Sequence, residues 1–204
     1  MINSPPTLTD RLRTLAGGTL ARAGSALHHA GVHPDAISLL GFLVVLAGAV
    51  LIALGQPRAG GVVLLVALPL DALDGAVARA MHRTDAFGGL LDSTLDRYAD
   101  GSIFAAVGYY FASQHDRLDL LLLALAALVG SYSVSYVRAR AGEAGLSVKI
   151  GIFSRLERSV ILLPGLLLPD LLLVPALVIL AVGTNITALQ RLWFVYRHTH
   201  TTET

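Results

Sequence analysis

Apolar runs long enough to cross a lipid bilayer recur along almost the whole chain of 204 residues, and they constrain its fold more than any other feature. Hydrophobic residues make up 54% of the sequence and charged residues only 14%, whereas a soluble domain carries about 25% charged residues. An α-helix of about 20 apolar residues crosses the hydrocarbon core of a bilayer. The sequence therefore predicts an all-α integral membrane protein.

Turn residues divide the apolar sequence into six predicted transmembrane helices. Their approximate limits are Ile37–Leu54, Gly60–Met81, Phe87–Phe111, Leu118–Tyr136, Val160–Leu168 and Leu171–Leu192. In residues 7–30, leucines alternate with arginines and histidines, as in amphipathic helices that lie on a membrane surface. We therefore expect a single domain over residues 1–204, with an N-terminal amphipathic surface helix at 7–30 and a six-helix membrane domain at 34–195.

The distribution of basic residues predicts the orientation of this domain. Six spans place both termini on one side, and that side carries twelve arginines and lysines against two on the other. The twelve are Arg11, Arg13, Arg22, Arg79, Arg83, Arg138, Arg140, Lys149, Arg155, Arg158, Arg191 and Arg197. We expect a multi-pass protein of the cell (inner or cytoplasmic) membrane with both termini in the cytoplasm. The formal net charge of +1 gives no sign of a nucleic-acid partner, and none is expected. The absence of cysteine excludes disulfides and thiolate chemistry.

Four aspartates stand inside two consecutive apolar segments. Asp71 and Asp74 are three residues apart, and Asp92 and Asp96 are four apart, so each pair lies on one face of a helix. A charge in the middle of a membrane costs about 2.5–3.5 kcal/mol even on a mild scale. Internal salt bridges with arginines are a poor explanation for four such acids. Because all the available ligands are oxygens, the pattern favours one or two hard divalent cations.

Small residues and one arginine accompany the first pair of acids. Gly75 and Ala78 leave room for a neighbouring helix or a ligand, and Arg79 places a cation one turn beyond Gly75. A guanidinium beside metal-binding carboxylates suits a diphosphate held by metal ions. Asp96, the acid furthest along its helix from the cytoplasmic rim, is the best candidate for a base that takes a proton from an attacking hydroxyl.

These residues together resemble the signature of the CDP-alcohol phosphotransferases. The matching pattern is Asp71-x-x-Asp74-Gly75-x-x-Ala78-Arg79, eight further residues, then Gly88-x-x-x-Asp92-x-x-x-Asp96. The resemblance implies six spans preceded by a surface helix, and often a homodimer. It also implies a reaction in which an alcohol attacks a lipid-linked CDP, here expected to be CDP-diacylglycerol, to give a phosphodiester and CMP.

The resemblance further implies a role for individual residues. It makes Asp71, Asp74, Asp92 and Asp96 the ligands of two divalent ions, expected to be Mg²⁺ with Mn²⁺ as an alternative, and it makes Asp96 also the proton acceptor. Residues that would contact the CDP-lipid are Gly75, Arg79, Asp35 and Ser38, together with Asp85, which stands where relatives often have a hydroxyl residue.

A second group of residues bears on the alcohol. Ser135, Arg138 and Arg140, followed by Arg155 and Arg158, resemble the subgroup that makes phosphatidylinositol phosphate or its archaeal ether-lipid counterpart. Arg191 is expected to join them. Several arginines favour an alcohol that itself carries phosphate. We expect inositol phosphate as the acceptor, with glycerol 3-phosphate as the main alternative.

Two alternatives come from other functional classes. An intramembrane prenyltransferase also binds Mg²⁺ and diphosphate through aspartates, but it generally has more helices and a different aspartate spacing. A divalent-cation channel or carrier would have an acidic site near the middle of the membrane but would not need Arg79 beside it. Release of CMP only when an alcohol is added separates the three functions.

Overall fold

The computed structural model describes residues 8–81, 86–148 and 150–200, and helices account for most of them. The α-helices, in chain order, are α1 Leu8–His29, α2 Pro34–Ala53, α3 Pro57–Ala80, α4 Ala86–His115, α5 Leu118–Glu143, α6 Arg155–Leu167 and α7 Val174–His200. A π-helical turn, Pro169–Leu173, leads directly into α7. The predicted all-α class is confirmed for these residues.

Proline and glycine set the first helix boundaries. Pro34 and Pro57 open α2 and α3, at a position where a proline loses no intrahelical hydrogen bond. Gly31 and Gly55 follow α1 and α2 with φ of 75° and 84°, a conformation that residues with a Cβ atom rarely adopt. The chain therefore turns sharply between α1 and α2 and again between α2 and α3.

Four helical segments in the described part of the chain are long and apolar enough to cross a membrane. They are Pro34–Ala53, Pro57–Ala80, Leu118–Glu143 and Pro169–Thr199. The predicted third span forms α4, whose first half contains Asp92, Asp96, Arg97 and Asp100. The predicted fifth span forms α6, whose 13 residues extend about 20 Å, less than the roughly 30 Å of a hydrocarbon core. The structure thus supports a membrane protein with four candidate spans.

The chain forms two compact units, and the first comprises the described residues of Met1–Ala47 and Val63–Ala99. In this unit α1 packs closely on α3, since a Cβ atom added at Gly24 would lie 2.7 Å from the carbonyl carbon of Ala76. Phe42 of α2 and Tyr98 of α4 meet edge to face, with ring centroids 6.5 Å apart. Small residues therefore let α1 approach the part of α3 that carries the first acidic pair.

The second unit comprises the described residues of Gly48–Val62 and Asp100–Thr204, and its core lies along α7. Leu173, Leu177 and Leu180 follow one face of this segment and are fully buried. The Asn185 side-chain amide donates a hydrogen bond to the Ala126 carbonyl of α5 over 2.9 Å. A side chain at Gly130 of α5 would overlap α7. Close backbone approach and polar side chains together join α5 to α7.

Aromatic residues and an arginine mark the last turns of α7. Trp193 and Tyr196 are stacked with ring centroids 5.5 Å apart. The guanidinium carbon of Arg197 lies 5.1 Å from the centre of the Trp193 ring, a cation–π geometry. Tryptophan and tyrosine in this position are typical of the boundary between a membrane and water.

Candidate active site

Three of the four predicted ligand carboxylates come together in the first unit. Asp71 and Asp74 lie on α3 and Asp92 on α4, and each offers an oxygen such that the three atoms lie within 4.8 Å of one another. The three-residue spacing on α3 places both of its acids on one side of that helix. An all-oxygen group of this size suits Mg²⁺ or another hard divalent cation. The site can therefore hold a metal ion, as the sequence predicts.

Asp74 is held in place by two hydrogen bonds. It is 7% exposed, and one of its oxygens accepts a hydrogen bond of 2.7 Å from the Ser38 hydroxyl of α2. Its other oxygen accepts from the backbone N–H of Gly75. Hydrogen bonds to a metal-binding carboxylate orient the oxygens for the ion. Ser38, predicted as a contact to the CDP-lipid, lies at this acid as its hydrogen-bond donor.

Gly75 leaves space that the Arg79 side chain uses. The Arg79 guanidinium folds back along α3, and a Cβ atom added at Gly75 would lie 3.2 Å from its Nη1 atom. Arg79 is exposed and stands in the last turn of α3. Glycine, arginine and acids therefore lie next to one another on α3, as predicted, and the Arg79 side chain is exposed.

Besides the three-acid group, three other predicted site residues remain: Asp96, Asp35 and Asp85. Asp96 is half-buried on α4, one turn beyond Asp92, and is outside the three-acid group. Asp35 lies in the first turn of α2, with an oxygen 3.5 Å from the Nδ1 atom of His33. Asp85 falls in residues 82–85, outside the described residues. The roles assigned to these residues stay predictions.

The predicted acceptor residues all belong to the second unit, where two of its arginines lie within electrostatic range of a third. Arg138 on α5 and Arg158 on α6 are near enough to Arg191 of α7 for their charges to act on it. Arg138 is exposed and Arg155 is half-buried at the start of α6. A cluster of guanidinium groups of this kind suits a phosphate group.

Two other predicted acceptor residues lie on α5. Ser135 is half-buried. Arg140 is exposed, near the end of the helix, and its Nη1 atom forms an ion pair with Glu143 one turn further on. An exposed pair of this kind holds the guanidinium only weakly, so Arg140 can exchange this partner for a ligand at little cost.

Arg158 has a buried structural partner. Its Nη2 atom donates a hydrogen bond of 2.7 Å to Asp100 Oδ2, which also accepts one of 2.7 Å from Ser131. The side chains of Arg158 and Asp100 are 6% and 16% exposed. Among the described residues, the Arg158 Nε atom is buried without a hydrogen-bond partner. Asp100 is therefore a structural partner of Arg158.

Arg191 is also buried, at 4% exposure. Its Nε atom donates to the Ile150 carbonyl over 2.9 Å, and its Nη1 atom donates to the Val134 carbonyl over 2.8 Å. The sequence predicted that Arg191 contacts the acceptor, but it did not predict these backbone partners. It also did not predict the close contacts of Gly24 with Ala76 and of Gly151 with Thr187. The sequence shows only that positions 183, 187 and 191 are four residues apart, which places them on one face of α7.

Known proteins of one family resemble this chain over most of its length. Residues 31–189 match the model of the CDP-alcohol phosphatidyltransferase family. The archaetidylinositol phosphate synthase of Methanothermobacter thermautotrophicus is 40% identical over 167 residues, which cover 80% of this chain and 83% of the relative. The phosphatidylinositol phosphate synthase of Mycolicibacterium smegmatis is 39% identical over 170 residues, 79% of this chain and 77% of the relative.

Solved structures give the same result. The crystal structure of the Mycobacterium tuberculosis phosphatidylinositol phosphate synthase with CDP-DAG bound superposes with a TM-score of 0.81 at 34% identity. The alignment covers 87% of this chain and 93% of that one. A structure of the same enzyme with manganese and citrate gives the same TM-score and covers 88% of that chain.

Proposed function

The chain belongs to the CDP-alcohol phosphatidyltransferase family, and we propose that it transfers the phosphatidyl group of CDP-diacylglycerol to inositol phosphate, giving phosphatidylinositol phosphate and CMP. The observation that carries this proposal is the group of Asp71, Asp74 and Asp92 oxygens within 4.8 Å, next to Arg79 in the family's signature. The names of the relatives and the arginine cluster support the choice of acceptor. Neither the prenyltransferase nor the cation carrier is favoured by these findings.

The acid group fits divalent ions because it offers only carboxylate oxygens, at separations that one or two ions can bridge. We assign Asp71, Asp74, Asp92 and Asp96 as ligands of two Mg²⁺ ions, with Mn²⁺ as a substitute. When bound, such ions neutralise the diphosphate and stabilise the charge of the transferring phosphoryl group. Ser38 holds the Asp74 carboxylate in place for this role.

The protein's own groups complete the reaction. Asp96 takes the proton of the acceptor hydroxyl, whose oxygen forms a bond to the lipid-side phosphorus of the diphosphate. The bond from that phosphorus to the bridging oxygen breaks, and CMP leaves with that oxygen. Arg79 pairs with the diphosphate while Gly75 keeps the approach open. We assign Asp35, Ser38 and Asp85 to the CDP-lipid as well.

The acceptor phosphate is assigned to the basic residues of the second unit. These residues are Ser135, Arg138, Arg140, Arg155, Arg158 and Arg191. Planar guanidinium groups bind phosphate oxygens in pairs, so a group of them favours inositol phosphate over inositol or serine. Glycerol 3-phosphate shares the phosphate and is therefore the comparison that the experiment must include.

The membrane arrangement belongs to the same proposal. We propose that all six helices from α2 to α7, the last with its π-helical turn, cross the bilayer and that α1 lies on its surface. The short α6 then requires a locally thinner bilayer. The count of basic residues supports placing both termini and the active site on the cytoplasmic side of the cell membrane. A homodimer is proposed from the family resemblance alone.

An acceptor panel tests the function. The purified protein receives CDP-diacylglycerol, Mg²⁺ and one of inositol phosphate, glycerol 3-phosphate, inositol or serine, and CMP release is measured. We expect release only with Mg²⁺ and fastest with inositol phosphate. Asp119→Asn is the control: this exposed acid lies in the first turn of α5, away from the predicted site residues of that helix, and its variant is expected to keep the wild-type rate. CMP release that is equal for all four alcohols, or that needs no alcohol, contradicts the proposal.

A further inference from the structure

The loop between α5 and α6 lies against one stripe of α7. The stripe consists of Gly183, Thr187 and Arg191, which are spaced by four residues and so share one face of that helix. We propose that this α7 stripe is a positioning device that fixes the loop, and through it the start of α6 with Arg155, for the phosphorylated acceptor. This inference rests on the function proposed above.

Arg191 provides the first attachment. Two of its N–H groups are used by backbone carbonyls, one in the loop at Ile150 and one in α5 at Val134. The bond to Val134 is buried and the bond to Ile150 is partly buried, and in such settings a hydrogen bond from a charged donor contributes more than one in water. Arg191 therefore joins the loop, α5 and α7 at one point. A residue that acts only as a phosphate ligand would not need these two bonds.

Gly151 provides the second attachment through its lack of a side chain. Its φ is 111°, which favours glycine. A Cβ atom added there would lie 2.4 Å from Thr187 Cγ2 and 3.3 Å from Arg191 Nε. The loop backbone thus rests directly on the stripe, and any side chain at this position would force the loop or the Thr187 side chain to shift.

Phe153 provides the third attachment, immediately before α6. A Cβ atom added at Gly183 would lie 2.3 Å from the Phe153 ring, so the ring packs on the bare helix backbone. The Phe153 N–H donates to the Thr187 hydroxyl over 3.4 Å, a long and weak bond. Val148, earlier in the loop, is 3% exposed. Together with the bond from Arg191 to the Ile150 carbonyl, the Phe153 contacts attach the residues on both sides of Gly151 to α7.

The consequence for the acceptor follows from the next residues. Ser154 caps α6, with its side chain and backbone bonded to Glu157 in a capping box, and Arg155 is the first helical residue. A rigid cap transmits the position of Phe153 to Arg155, because only Ser154 lies between them. When a side chain that binds the acceptor phosphate is displaced by about 1 Å, the reaction rate falls substantially. The stripe therefore acts on acceptor binding from a distance.

Substitutions that alter the loop contact without altering charge test this idea. The variants are Gly151→Ala, Thr187→Val and Arg191→Lys, and the matched control is Gly142→Ala, at a glycine with no heavy atom within 4 Å of an added Cβ. We expect each of the three to raise the KM for inositol phosphate about fivefold or more while the KM for CDP-diacylglycerol stays within about twofold. The control is expected to match the wild type.

Hydrogen exchange gives a readout that a phosphate ligand alone would not move. Amides of residues 146–148 and 150–153 should exchange faster in all three variants than in the wild type and the control, with or without substrate. Thr187→Val is the mildest change and decides the matter if Gly151→Ala does not fold.

Two results would overturn the inference. One is a raised acceptor KM in Arg191→Lys alone, with Gly151→Ala and Thr187→Val unchanged, which would make Arg191 a direct ligand only. The other is unchanged exchange of the loop in Thr187→Val. Failure of the proposed function looks different, because the wild type itself would then show no release of CMP with inositol phosphate while the exchange measurement would still report on the loop.

Discussion

Removing the Arg158 guanidinium should destabilise the protein severely, because it leaves the mostly buried Asp100 carboxylate without its positively charged partner. Arg158→Met deletes the 2.7 Å bond to Asp100 and keeps only the bond from Ser131. Breaking a buried ion pair from one side costs about 3–5 kcal/mol. For a chain of about 200 residues this corresponds to a fall of about 6–20 °C in the thermal midpoint.

The physical reason predicts a graded series. Ser131→Ala removes a single hydrogen bond to a charged acceptor and should cost about 1.5–3 kcal/mol. The double variant Asp100→Leu with Arg158→Met removes both charges and should regain most of the loss, since an apolar replacement of a whole buried pair is often neutral. Arg58→Met is the matched control: its pair with Asp170 is 67% and 81% exposed, and such pairs contribute about 0–1 kcal/mol.

Thermal unfolding in detergent, followed by circular dichroism and by the fluorescence of the single tryptophan, Trp193, measures the series. The reasoning is refuted if Arg158→Met and Arg58→Met lower the midpoint equally. It is also refuted if the double variant loses the sum of the two single losses, because the two groups would then not be coupled.

Three further predictions concern the first unit. Asp96→Asn should keep CDP-lipid binding but lower turnover at least about 100-fold; a near-normal rate of CMP release would show that another group takes the proton. Ser38→Ala should raise the Mg²⁺ concentration for half-maximal CMP release about tenfold, since Asp74 loses its hydrogen-bond donor; an unchanged Mg²⁺ dependence would contradict this role. Gly24→Leu should push α1 from α3 and cost about 1–3 kcal/mol in thermal unfolding, whereas Gly17→Leu, with open space at its Cβ, should not; equal effects would argue against the close contact.

Local patterns were sufficient to predict the helical class, several helix boundaries and the acidic pair on α3. Acids three and four residues apart lie on one helix face whatever the tertiary fold, so Asp71 and Asp74 point the same way as soon as α3 forms. Glycine at positions 31 and 55 and proline at positions 34 and 57 likewise act through backbone conformation alone. These parts of the prediction depend on neighbours within one or two turns.

Partners from distant segments were not predictable in this way. The sequence indicates that Arg158 and Arg191 carry positive charge, but a guanidinium can pair with a phosphate, a carboxylate or a carbonyl equally well. Only the fold brings Arg158 to Asp100, 58 residues away, and Arg191 to Ile150, 41 residues away. The contact of Gly24 with Ala76 is similar, since a small residue shows that close approach is possible without showing what approaches.

The aromatic pair at the end of α7 limits how thick a bilayer suits this protein. From Pro169 to Trp193 the helical segment contains 25 residues, and its 24 steps of about 1.5 Å extend about 36 Å along the axis. This length slightly exceeds the roughly 30 Å of an average hydrocarbon core. Lipids with shorter chains would therefore force the helix to tilt further so that the Trp193 ring stays at headgroup depth. Thr187 and Arg191 lie on the same helix. In lipids of graded chain length, we therefore expect the KM for the alcohol to change at smaller differences in bilayer thickness than the Mg²⁺ dependence of the group of Asp71, Asp74 and Asp92.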